Sequence, residues 1–133
     1  MDINKFQQFK QTGTKLGKNI IGIMRSFGFT FSAGFYHINK IKEYKYVVLF
    51  FNPENEGSIG VAFTNNEEVK GKFKVTHSEN KTSGSVTCRS FFFSYDLASK
   101  IEQIAGKYKP QEIEHPMFGK MHYIKLSEKI LKK

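Results

Sequence analysis

Cysteine occurs once, at Cys88, and histidine four times, at His37, His77, His115 and His122. A cysteine beside an imidazole is a nucleophile pair, and three or four converging His, Cys or carboxylate groups hold a zinc ion. The spacing here favours neither. Cys88 stands two residues after Val86 on an apolar run, where a cysteine behaves as a small buried hydrophobe. His115 and His122 are placed to face each other across a hairpin, but Pro116 to Gly119 is turn chemistry that needs no metal. The acids Glu54, Glu56, Glu67 and Glu68 cluster in turns, where solvation leaves carboxylates unsuited to acid–base work. The stretch from Gly13 to Asn19 has the outline of a phosphate loop. It is one residue short, and Asn19 stands where a Ser or Thr would hold magnesium. The expectation is therefore no catalytic set, no metal and no cofactor: a binding protein rather than an enzyme.

Charge gives that expectation a direction. Lys and Arg together number 21 against 12 acids, a net charge of +9. All but two of the bases are Lys; the exceptions are Arg25 and Arg89. Lysine is a hydrated point charge, whereas arginine reads planar groups bidentately. Such a surface suits polyanions without strong sequence preference. Lys18, Arg25, Lys72, Lys74, Lys81 and Arg89 are the candidate phosphate contacts, and Phe27 and Tyr36 the candidate stacking residues. The turn at residues 52–57 is acidic, so the charge is polarised along the chain rather than spread evenly.

Two short segments resemble known nucleic-acid-binding families. Arg25-Ser26-Phe27-Gly28-Phe29 is similar to the aromatic strand motif of RNA-recognition and cold-shock modules, where a basic residue precedes Phe-Gly-Phe and exposed aromatics stack on bases. Ser26 and Thr30 depart from that pattern, and Phe29 and Phe31 also read as core residues of an amphipathic strand. From Phe31 to Phe63, a strand, a short helix, a basic link, a strong strand, an acidic turn and an Ile-Gly strand follow one another. That order resembles the AbrB/MraZ-type swapped-hairpin DNA-binding proteins and small uncharacterised bacterial and phage proteins of similar pattern. Phe35, Tyr36 and His37 stand where that family carries helix arginines.

The secondary structure around these residues is legible in outline. Ile20 to Met24 and Phe29 to Ser32 read as strands around a turn at Ser26-Phe27-Gly28. Ser32 is placed to cap a helix over Ala33 to Ile41. Tyr46 to Phe51 reads as a strand buried on both faces, returning through Asn52 to Gly57 into Ile59 to Phe63. Lys72 to Val75 alternates, His77 to Gly84 is a polar loop, and Ser85 to Phe93 opens as a strand whose end turns helical. Leu97 to Ala105 has helical spacing stopped by Gly106, and residues 112–115 and 120–126 form a last hairpin. The fold class is α+β: a twisted antiparallel sheet or small barrel with two short helices. Residues 20–127 form one domain, between a basic arm at 1–19 and a basic, frayed tail at 128–133.

The chain carries no run long enough to span a membrane and no signal-peptide pattern, so a cytoplasmic setting, or the inside of an infected cell, is expected. Nucleic acid is the expected partner. The rival is a protein–protein or oligomeric role: Phe91, Phe92 and Phe93 cannot all point one way along a strand, and an exposed member invites a second copy of the chain.

Overall fold

The structure is a computed structural model, and it describes residues 3–5 and 18–131. Most of the basic arm expected at residues 1–19 lies outside the described residues. Alternating apolar residues and well-placed turns fold the rest into two antiparallel five-stranded sheets. The first sheet contains β1 (Ile21–Met24), β2 (Gly28–Phe31), β6 (Thr76–His77), β7 (Gly84–Thr87) and β8 (Gly106–Tyr108), in the order β6-β7-β2-β1-β8. The second contains β3 (Tyr46–Asn52), β4 (Ser58–Thr64), β5 (Phe73–Lys74), β9 (Gln111–His115) and β10 (Gly119–Lys125), in the order β5-β3-β4-β10-β9. Three short helices complete it: α1 (Ala33–Ile38), α2 (Arg89–Ser94) and α3 (Ile101–Ile104). The α+β class stands, realised as two antiparallel sheets with a few short helices and no closed barrel.

The core lies between the layers. In the first sheet, Ile21, Ile23, Phe29, Phe31, Val86 and Tyr108 point inward and are at most 4% exposed. Val47, Ile59, Val61 and Ile124 supply the second sheet's share. Burying such side chains is worth about 1.5–3 kcal/mol each, which is the main stabilising term. Val47 and Val48 are adjacent and both buried, so β3 is covered on both faces there. Ser32 caps α1 as expected: its Oγ accepts from Phe35 N at 3.3 Å.

Several local expectations are corrected. Phe91, Phe92 and Phe93 lie on α2, the helical end expected of the Ser85–Phe93 run, so the strand alternation invoked for them does not apply. A helix spreads three consecutive residues around its circumference, so Phe91 and Phe92 enter the protein's own core at 6% and 0% exposure while Phe93 is left at 54%. Lys72 to Val75 is not one strand: Phe73 and Lys74 join the second sheet, and Thr76 and His77 join the first, with Val75 buried at the crossing. The segment from Lys129 is tied down. Ile130 N donates to Lys107 O at 2.8 Å, and Lys129 Nζ donates to Gln103 O at 2.6 Å, satisfying a carbonyl at the end of α3. Among the described residues no helix is long and apolar enough to cross a membrane.

Candidate nucleic-acid interface

The hairpin joining β1 to β2 has three loop residues, Arg25, Ser26 and Phe27. Phe27 N donates to Met24 O at 3.1 Å, closing the turn, and Phe27 itself takes φ 68°. A three-residue hairpin normally carries glycine at this left-handed position. Here the glycine comes one place later, at Gly28, and a phenylalanine is held in the strained conformation. Cys88 N donates to Phe27 O at 3.0 Å and fixes the turn to the start of α2.

That strain aims a ring at Arg89. The Arg89 guanidinium carbon lies 5.0 Å from the Phe27 ring centre and 4.9 Å from that of Phe93. The two rings are themselves 5.2 Å apart and tilted by 56°. The three centres therefore form a nearly equilateral triangle, with the cation over the notch between two ring faces. Phe27 is anchored from below by Phe92, at 5.8 Å. Arg89 is exposed and has no carboxylate partner among the described residues. Arg25, on the same hairpin, pairs with Glu102 at 3.3 Å, an exposed contact that water screens to about 0–1 kcal/mol.

At the other end of the same strands the outer face of the first sheet is polar. Directly paired residues share a face, and the register places Thr76, Ser85, Thr30, Gly22 and Lys107 in one row across all five strands. A Cβ on Gly22 would come within 2.4 Å of Thr30 Oγ1, so a larger residue there would force the Thr30 hydroxyl to turn away. A groove of about 620 Å³ runs over the row, bounded by Lys18, Ile20, Ile130 and the Ser78–Ser83 loop. Ser32 positions the Lys18 end: its Oγ donates to Lys18 O at 2.6 Å and accepts from Ile20 N at 2.9 Å.

The structure therefore divides the residues singled out in the sequence. Phe27 and Arg89 come together, with Arg25 beside them on the hairpin. Lys18 lies at the opposite end of β1, and Lys81 beyond the opposite end of β7. Lys72 and Lys74 belong to the β5 segment of the second sheet. Lys72 Nζ donates to Val69 O at 3.3 Å and lies 5.2 Å from the Tyr46 ring centre, so it is already engaged. Tyr36 is corrected as a stacking residue: it is 2% exposed, and its hydroxyl is 2.6 Å from His77 Nδ1. Burial raises its pKa.

Two participants escaped the sequence reading. Phe93 was named in the sequence only as an oligomer contact; its place beside Arg89, four residues on along α2, was not seen. Lys107 needed the pairing of β8 with β1, across more than eighty residues of chain.

The remaining candidates for chemistry are dispersed. Cys88 is 1% exposed, and burial pushes its thiol up to about 12. His115 pairs across its hairpin with Gly119 and His122 with Glu112, so the two histidines do not face each other. Among the described residues no group of three His, Cys, Asp or Glu converges for a metal. Compared with protein-family models, with curated proteins and with solved structures, the chain matches none.

Proposed function

We propose that this protein is a basic, non-enzymatic module that binds single-stranded nucleic acid with weak sequence preference. The observation that carries this reading is the Arg89 guanidinium over the notch between Phe27 and Phe93, with Phe93 left exposed. An exposed ring beside an unpaired cation offers a base a stacking surface and a phosphate a partner in one place. Arg25 adds a second cation on the same hairpin. The hydroxyls of Thr30, Thr76 and Ser85, in the row that ends at Lys107 and in the groove that Lys18 bounds, suit sugar and phosphate contacts along the sheet face.

The test is fluorescence anisotropy with labelled single- and double-stranded oligonucleotides over a salt series. Four phosphate contacts on a single strand give a log–log slope of about −3, at roughly −0.7 per contact. Single strands are expected to bind more tightly than duplexes, with small differences among base compositions. Absence of binding to either at low salt sinks the reading.

A second reading rests on the apolar surface at the same end. Phe93 at 54% and Tyr95 at 49% are exposed, close along the chain. A self-association role through them predicts a dimer in light scattering that Phe93→Ser dissolves.

A further inference from the structure

Lys40 and Lys81 are far apart in sequence, yet they line one pocket of about 300 Å³, together with Lys42, His37 and the edge of Tyr36. Both lysines have φ 52°, in the left-handed region. Lys40 follows the C-cap Asn39 of α1, and its N–H donates to His37 O at 3.1 Å. Lys81 closes a turn whose N–H donates to Ser78 O at 2.8 Å, while Ser78 Oγ accepts from Thr82 N and Ser83 N. Each conformation is thus held by the surrounding hydrogen bonds, at positions where glycine is the unstrained choice.

Charge adds a second, independent cost. Among the described residues none of Lys40, Lys42 and Lys81 has a carboxylate within 4.0 Å, although Glu43 lines the same pocket. Three cations around one concavity repel one another, though all three are exposed and water screens much of the effect. The left-handed backbone and the unpaired cations both disfavour the folded state, and the second of these costs is the one an anion in the pocket would relieve.

We propose that this pocket is a binding site for a small ligand carrying a phosphate or pyrophosphate group, held by the ammonium groups of Lys40, Lys42 and Lys81. Lysine serves phosphate as a mobile point charge, and the three ammonium groups outweigh the one carboxylate, Glu43, in the same lining. His37, exposed at the rim, supplies a ring donor. The site is separate from the Arg89 notch. Lys81 precedes β7 and Arg89 follows it, and the four residues of that strand alone span roughly 13 Å. The proposal therefore does not depend on the nucleic-acid reading.

The experiment is thermal unfolding and calorimetric titration with inorganic pyrophosphate, on the full chain and two variants. The wild type is expected to show saturable binding and a rise in Tm with ligand concentration. The variant carrying Lys40→Gly and Lys81→Gly should be more stable than wild type without ligand, because glycine relieves both left-handed positions. It should bind pyrophosphate roughly 10- to 100-fold more weakly, from the loss of charge-assisted contacts. Lys42→Gln, outside any strained position, should weaken binding and, with one of three repelling cations gone, raise the ligand-free Tm slightly. Arg89→Ala should leave pyrophosphate binding intact. Pyrophosphate that leaves the wild-type Tm unmoved, or that binds the glycine variant as tightly as wild type, overturns the proposal. So does an unphosphorylated oligonucleotide that displaces pyrophosphate, because the pocket would then be part of the strand-binding surface.

Discussion

Arg89 and Phe93 stand one turn apart on α2, with the guanidinium carbon 4.9 Å from the ring centre. A contact between exposed groups at this spacing stabilises a helix by only about 0.2–0.5 kcal/mol. Stability is a weak reason to keep it, and its use as a recognition surface is testable apart from folding. Phe93→Ala is expected to change the unfolding free energy by less than about 0.5 kcal/mol and to cost about 1–3 kcal/mol in single-strand affinity. Anisotropy beside urea denaturation reads both quantities. Unchanged affinity would remove Phe93 from the interface.

Phe27 inverts the ordinary order of alanine and glycine. Within a strand or helix, Gly is less stable than Ala by roughly 0.5–1 kcal/mol. At φ 68° the left-handed backbone costs an L-residue about 1–2 kcal/mol. Phe27→Ala and Phe27→Gly both lose the packing on Phe92, but Phe27→Gly is expected to be the more stable by about 1 kcal/mol. Paired urea melts decide it, and the usual ordering would mean that the turn relaxes in the variants.

Lys72 and Lys74 provide an internal control. Both lie at the β5 segment of the second sheet, and Lys72 is occupied by Val69 O and the Tyr46 ring. Replacing both with Gln should leave the salt slope of single-strand binding unchanged, whereas Arg25→Gln with Arg89→Gln should flatten it by roughly 1.4, at about −0.7 per contact. The opposite pattern in anisotropy would move the interface to the second sheet.

His122 gives the fold a pH dependence. It is 4% exposed, edge-on to Phe35 at 4.8 Å, and desolvation lowers its pKa below the ordinary value, against a smaller opposing effect of Glu112. Between the folded and unfolded pKa values the unfolded chain holds more protons, so stability rises with pH there. Its contribution is complete above about pH 6.5 and is lost as pH falls from that value through the lower folded one. His122→Leu is expected to flatten this part of the profile in urea melts between pH 4 and 8, roughly the range where histidine titrates in proteins. An unaltered profile would place the acid sensitivity elsewhere.

Cys88 is expected to be silent until the chain unfolds. A thiol 1% exposed and pushed up to about 12 has neither access nor thiolate. Its modification by a disulfide reagent at neutral pH should therefore follow unfolding. Cys88→Ser, by burying a hydroxyl, should cost about 1–3 kcal/mol of stability while leaving binding in place. Prompt labelling of the native protein would contradict this.

The hairpins, the Ser32 cap and the helical turn in Ser85 to Phe93 were readable because each depends on neighbours in the chain: an acidic turn between two apolar runs, a hydroxyl before a helix, a change of period. The division into two sheets was not readable. It turns on Val75, where one short run hands two residues to each sheet, and no local period announces such a crossing. In the candidate site, Arg25, Phe27 and Arg89 were found from residue type. Their convergence depends on a left-handed Phe27, which propensity argues against, and on contacts between residues 27 and 88–93 that only the packed chain makes.

The pairings of the two sheets also set a timetable for folding. β1 with β2, β3 with β4 and β9 with β10 are hairpins closed by short turns, so each forms with little loop entropy to overcome. β1 with β8, and β4 with β10, join residues from distant parts of the chain and must wait for those local units. The row that ends in Lys107 is therefore expected among the last features completed in refolding, and among the first to open in hydrogen exchange.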